Sequence, residues 1–141
     1  MIYGDLAFLN GENVTIQTHK ILNKIYLIKN TPQQPATFYK KSVFDKVGKF
    51  DLKYKIVSDH EWFLRAFLRN KITSSYINTP ITLFSTEGIS NSEKYNIKLT
   101  QERNEMFGSY FNKLEFKIYS FVSKYLRSLT KMPIIEKFFR I

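Results

Sequence analysis

The stretch that most constrains this chain is VSDHEWFLRAFLR, residues 57–69. Phe63 falls one turn before Phe67, and Leu64 one turn before Leu68. Glu61, Arg65 and Arg69 form a polar row at the same spacing. Ser58 followed three residues later by Glu61 matches a capping box. The spacing predicts an amphipathic helix over 58–69, with the Asp59 carboxylate at its mouth.

Asp59 has two readings. Acidic residues in a first helical turn offset the exposed amides and the positive end of the dipole, a structural role open to both Asp59 and Glu61. The other reading places Asp59 at a cleft, where it takes a proton from a substrate hydroxyl. Asp59, His60, Glu61 and Trp62 put two carboxylates, an imidazole and an indole in four positions. That density of polar and stacking groups suits a sugar site, and a plain cap does not require it.

Upstream, Ile2–Leu9 reads as a strand, Asn10-Gly11 as a turn and Val14–Thr18 as the returning arm of a hairpin. A strand beginning at the second residue suggests that the chain starts inside a domain. His19 is expected at the surface or in packing. Residues 21–29 are expected to hold a short helix and 30–35 a loop fixed by Pro32 and Pro35. A short extended segment, 36–39, precedes a helix over 40–47 that Gly48 caps. Beyond the central helix, 72–77 and 80–85 read as two strands, the second at an edge because of Pro80. A loop over 86–91 leads to a charged helix from about Ser92 that stops near Gly108. The class is α/β, a mixed sheet with flanking helices, followed by a helical tail.

In the tail, Leu114, Ile118, Phe121, Val122, Tyr125 and Leu129 form one apolar stripe, with Lys113, Lys117, Lys124, Arg127 and Lys131 mostly off it. Pro133 ends that helix, and a short apolar stretch over 134–141 follows. Such a helix either docks on the core or lies on an anionic membrane surface. The division expected is 1–91 and a basic helical extension, 92–141.

The chain of 141 residues carries a formal charge of +10, which calls for an anionic partner. That charge is spread along the chain and not gathered on one recognition helix, so no nucleic-acid partner is expected. There are no cysteines, which excludes disulfides, thiol catalysis and cysteine zinc sites. No secretory leader is visible after Met1, and no apolar run approaches the ~20 residues of a spanning helix. A cytoplasmic location is expected, with peripheral contact at the inner face of a membrane possible through 113–141. No glycine-rich phosphate loop, H-E-x-x-H or Asp-x-Asp occurs.

Five blocks then stand in order: Tyr3-Gly4-Asp5, residues 34–41 (QPATFYKK), 47–51 (VGKFD), 58–65 (SDHEWFLR) and 87–90 (EGIS). Together they resemble the second half of bacterial family 2 glycosyltransferases, enzymes of the GT-A fold in polysaccharide and glycoconjugate synthesis. The resemblance covers roughly the first 90 residues. It implies transfer of a sugar from a nucleotide-diphospho-sugar to a hydroxyl of a saccharide or lipid-linked acceptor, with inversion at the anomeric carbon. It implies Asp59 as the base and Mg2+ or Mn2+ as cofactor. It further implies that Gln34, Pro35, Ala36 and Thr37 line the sugar site, with His60, Glu61 and Trp62 beside them and Trp62 stacked on a ring. Trp62 as a core aromatic is the competing reading, and Arg65 is expected to anchor the helix through Glu61 or a neighbouring carboxylate. The family's Asp-x-Asp metal motif lies on the nucleotide-binding half and has no counterpart here, so metal ligands are not expected in this chain and little turnover is expected from it alone. The alternative function is a non-enzymatic basic module that binds anionic membrane or nucleic acid.

Overall fold

The computed structural model describes residues 1–18, 22–85 and 93–130. Strand β1 (Ile2–Asn10) is the centre of a four-stranded mixed sheet. Its second half pairs antiparallel with β2 (Asn13–Gln17), and its first residues pair antiparallel with β3 (Thr37–Phe38). On its other edge β4 (Ser75–Ser85) runs parallel to it. The β1–β2 turn is the one the sequence marks: Gly11 takes φ +59° at its first central position, where a side chain is disfavoured.

The two strands expected over 72–77 and 80–85 are one. The register passes from Gly4 opposite Ile77 to Asp5 opposite Pro80 and Leu6 opposite Thr82, with irregularities at both steps. An irregular pairing accommodates Pro80, which has no N–H for the ladder. Gly4 permits that approach: a Cβ there would sit 2.5 Å from Ile81 Cδ1 and 2.9 Å from the Thr79 carbonyl.

Helix α1 (Lys24–Leu27) is capped by Asn23, whose Oδ1 accepts from the Tyr26 amide at 2.8 Å. A single 3-10 turn, Gln34–Ala36, leads into β3. Helix α2 (Lys41–Val47) ends at Gly48, with φ +88°. The central helix α3 (Ser58–Leu64) runs on into a wider π turn, Arg65–Arg69. The carbonyl of Arg65 accepts from both the amide and the side chain of Asn70 there. Helices α4 (Glu93–Tyr110) and α5 (Lys113–Thr130) complete the chain. Gly108 lies inside α4, not at its end.

The helical core is built on α3. Trp62, Phe63, Leu64 and Ala66 are fully buried, joined by Leu27 and Ile28 from α1, Val43 and Val47 from α2, and Met106, Phe107 and Phe111 from α4 and its end. The Phe63 and Phe67 rings stack as their spacing predicts, 6.3 Å apart and 13° from parallel. Helix α5 packs through Phe116 and Tyr119. His19, the 87–90 block and the stretch beyond Pro133 lie outside the described residues.

Candidate active site

The entrance to α3 is not the capping box that Ser58 and Glu61 spell. Val57 holds the cap position and no side chain of this stretch caps the helix. Glu102 from α4 instead holds the segment that leads into the helix. Its carboxylate accepts from the amides of Lys55 (3.0 Å), Ile56 (2.8 Å) and Val57 (3.3 Å). Burial alone would push the Glu102 carboxyl up. The three amides, with Lys98 nearby, outweigh burial and hold it below the ordinary carboxylate value.

Glu61 turns inward. It pairs with Arg65 at 2.9 Å and accepts from the Tyr110 hydroxyl at 2.6 Å. Arg65 also donates to the carbonyls of Val47 and Lys49, both at 2.8 Å. The expected anchoring of the helix by Arg65 through Glu61 is therefore present. Glu61, so engaged and buried, has no face toward a ligand, which corrects its expected place at the sugar site.

Trp62 is corrected in the same way. Its indole is 0% exposed, donates to the Gly48 carbonyl at 2.7 Å, and is ringed by Tyr39, Phe44, Phe50 and Phe63. No ring face remains for a sugar, so the core reading holds.

Asp59 and His60 do open on a cleft, of ≈ 300 Å³. Its walls are Gln17 from β2, Lys29, Asn30, Thr31 and Gln33 from the segment after α1, Ile56 and Val57 before α3, and Tyr95, Leu99 and Arg103 from α4. Asp59 Oδ1 accepts from the amide of His60 at 2.7 Å. Oδ2 has no hydrogen-bond partner among the described residues, and the carboxylate is half-buried beside the hollow. The His60 Nε2 faces the Leu27 carbonyl, which can only accept, so Nε2 carries the hydrogen. Burial lowers the His60 pKa and Arg103 adds to that, against the Leu27 carbonyl and Asp59. The ring is therefore neutral at neutral pH.

Gln34, Pro35, Ala36 and Thr37 do not line this cleft. They form the 3-10 turn and the start of β3, with Ala36 and Thr37 buried and Gln34 and Pro35 exposed. Their neighbour Gln33 is the residue that reaches it. The turn is held to the sheet through the Pro35 carbonyl, which accepts from Thr82 Oγ1 at 2.7 Å. Sequence reasoning missed Gln17, Lys29, Asn30, Thr31, Gln33, Tyr95 and Arg103. The one signal available was the four-residue spacing of Tyr95, Leu99 and Arg103, which puts them on one face of α4.

The cleft thus offers one open carboxylate, a neutral imidazole, two cations and several amide and hydroxyl groups. That set can orient a polyhydroxylated or anionic molecule and accept one proton. Among the described residues no three His, Asp or Glu side chains gather closely enough to hold a metal ion. The described residues therefore offer no ready-made site for the divalent metal that the resemblance implies. Asp5 is no exception, since it is buried and accepts from the Tyr76 hydroxyl.

Compared with known proteins, the chain matches no family model, and neither a curated protein nor a solved structure is significantly similar to it.

Proposed function

We propose that this chain is the acceptor-side part of an inverting glycosyltransferase of the GT-A fold, with Asp59 as its base. The observation that carries the reading is the open Asp59 carboxylate at the mouth of α3, on the wall of the cleft. The motif blocks add to it, as does the mixed sheet with its flanking helices.

In this reading an acceptor hydroxyl lies against Asp59. Its oxygen attacks the anomeric carbon from the side opposite the nucleoside diphosphate. The new C–O bond forms as the bond to the diphosphate breaks, and the leaving oxygen takes that electron pair. A free aspartate is a weak base, with a reference pKa of ~3.9. It suffices because the hydroxyl becomes strongly acidic as its oxygen bonds to carbon, so the proton moves late to Asp59. The amide of His60 fixes one carboxylate oxygen and leaves the other for the proton. Lys29 and Arg103 supply positive charge on the cleft wall for a diphosphate, on the donor or on a lipid-linked acceptor. Ile16, Ala7 and Leu83 lie in one row across three strands, the outer two more than half exposed. That row is a surface on which the nucleotide-binding part of such a fold would pack.

The test joins the chain to a nucleotide-binding half that carries Asp-x-Asp and measures sugar transfer with magnesium or manganese. Asp59→Asn is expected to lower the rate by about 10²–10⁴-fold, the usual contribution of a general base, with the melting temperature nearly unchanged. Asp59→Asn that keeps full transfer activity would return Asp59 to a purely structural role.

A further inference from the structure

Helix α5 has two apolar sides, and only one is used. With about 3.6 residues per turn, Phe116 and Tyr119 share a side, and both pack on the core. Leu114, Ile118, Phe121 and Tyr125 lie on the opposite side. They are 68%, 51%, 71% and 58% exposed. Four large apolar side chains in a line on one helix are unlike the scattered exposure normal for a folded surface. Of the stripe read from the sequence, Leu114, Ile118, Phe121 and Tyr125 are left open and the docking side is another one, while the Leu129 side chain lies outside the described residues.

The charges beside it are one-sided. Lys113, Lys117 and Lys124 run along one flank of the exposed row. All three are exposed, and none forms an ion pair among the described residues. The acid of this helix, Glu115, lies toward the other flank and is held by Lys24 at 3.4 Å and by the Asn112 amide. No helix among the described residues is long and apolar enough to cross a membrane.

We infer that α5 is a membrane-surface anchor: Leu114, Ile118, Phe121 and Tyr125 enter the headgroup boundary of an anionic bilayer while Lys113, Lys117 and Lys124 meet its phosphates. A bilayer is the occupant that meets both demands at once. It takes an apolar row running along the helix and brings dense negative charge along the same line. This inference does not depend on the glycosyltransferase reading.

The chain contains no cysteine, so Phe121→Cys gives one site for a polarity-sensitive fluorophore on the intact protein. The label is expected to be water-exposed in buffer and to shift to the blue with vesicles of phosphatidylcholine and phosphatidylglycerol in equal amounts. Phosphatidylcholine alone should give little shift, and added salt should weaken the response. In co-sedimentation with the unlabelled chain, Leu114→Gln with Ile118→Gln should reduce partition roughly tenfold or more, the equivalent of one well-buried apolar side chain. Lys113→Gln, Lys117→Gln and Lys124→Gln together should remove the preference for anionic lipid. These positions are exposed, so far-UV spectra should match the parent. A label already blue-shifted in buffer overturns the inference: in favour of a second copy if the shift grows with protein concentration, and of the chain's own residues 131–141 if it does not. Absence of a shift with anionic vesicles overturns it outright.

Discussion

Glu102 and His60 each sit where protonation weakens the fold, and both act in the same direction. The folded chain holds Glu102 below its ordinary value of 4.5, so its contribution is whole above pH 4.5 and drains away as pH falls through the folded value. His60 is held below 6.5. Once pH drops below 6.5 the unfolded imidazole binds a proton that the folded one refuses, and stability falls. The melting temperature should therefore decline in two limbs on acidification, one starting near pH 6.5 and one near pH 4.5. His60→Gln should flatten the first limb. Glu102→Gln should cost about 1–3 kcal/mol at neutral pH, since three amides lose a charged acceptor, and should flatten the second. A melting temperature constant from pH 7 to pH 5 would show that His60 titrates alike in both states. Neither residue's duty was legible in the sequence. Glu102 is one acid in a charged helix until the fold brings it against residues 55–57, a partnership across 45 positions or more. Asp59 was legible because its place at the start of a helix follows from neighbours within a single turn.

Local pattern predicted the elements well where it was not contested. The β1–β2 turn, α2 with its glycine cap and the aromatic stack within α3 all follow from contacts a few residues apart. The capping boxes show the limit. Ser58 and Glu61 have the right spacing but form none, because Glu61 is claimed by Arg65 and Tyr110. Asn112 and Glu115 form a reciprocal one at the head of α5, at 2.8 and 3.1 Å, because Lys24 approaches only Oε1 of Glu115 and leaves Oε2 to the Asn112 amide. The π turn after Leu64 was equally hidden, as it depends on where Asn70 closes. Arg65 carries the strongest consequence at this scale. Its four donated hydrogen bonds reach Glu61 twice, Val47 and Lys49, tying α3 to the end of α2. A lysine cannot reproduce that planar fork. Arg65→Lys is expected to cost about 2 kcal/mol and Arg65→Ala about 3–5 kcal/mol, because Ala leaves the buried Glu61 carboxylate without its cation. Chemical denaturation checks both, and equal costs for the two variants would mean that the fork geometry contributes nothing.

At the scale of the whole molecule, the division expected near residue 91 is one that the packing crosses. Met106, Phe107 and Phe111 belong to the same buried cluster as Trp62, Phe63 and Leu64. Glu102 closes the entrance to α3, and Tyr95, Leu99 and Arg103 form one wall of the cleft. Composition could not reveal this, because a charged helix with few apolar residues looks solvated until its one buried row meets a partner. Burying three such side chains stabilises by about 1.5–3 kcal/mol each. Their sum is comparable to the roughly 5–15 kcal/mol that separates a typical folded domain from its unfolded chain. Removing residues 92–141 should therefore do more than delete an appendage. The remaining 1–91 segment is expected to lose cooperative thermal unfolding, and its near-UV signal from Trp62 should collapse as α3 loses the helix that covers it. If 1–91 instead melts sharply and keeps that signal, the sheet and the central helix sustain themselves, and α4 serves only as a wall for the cleft.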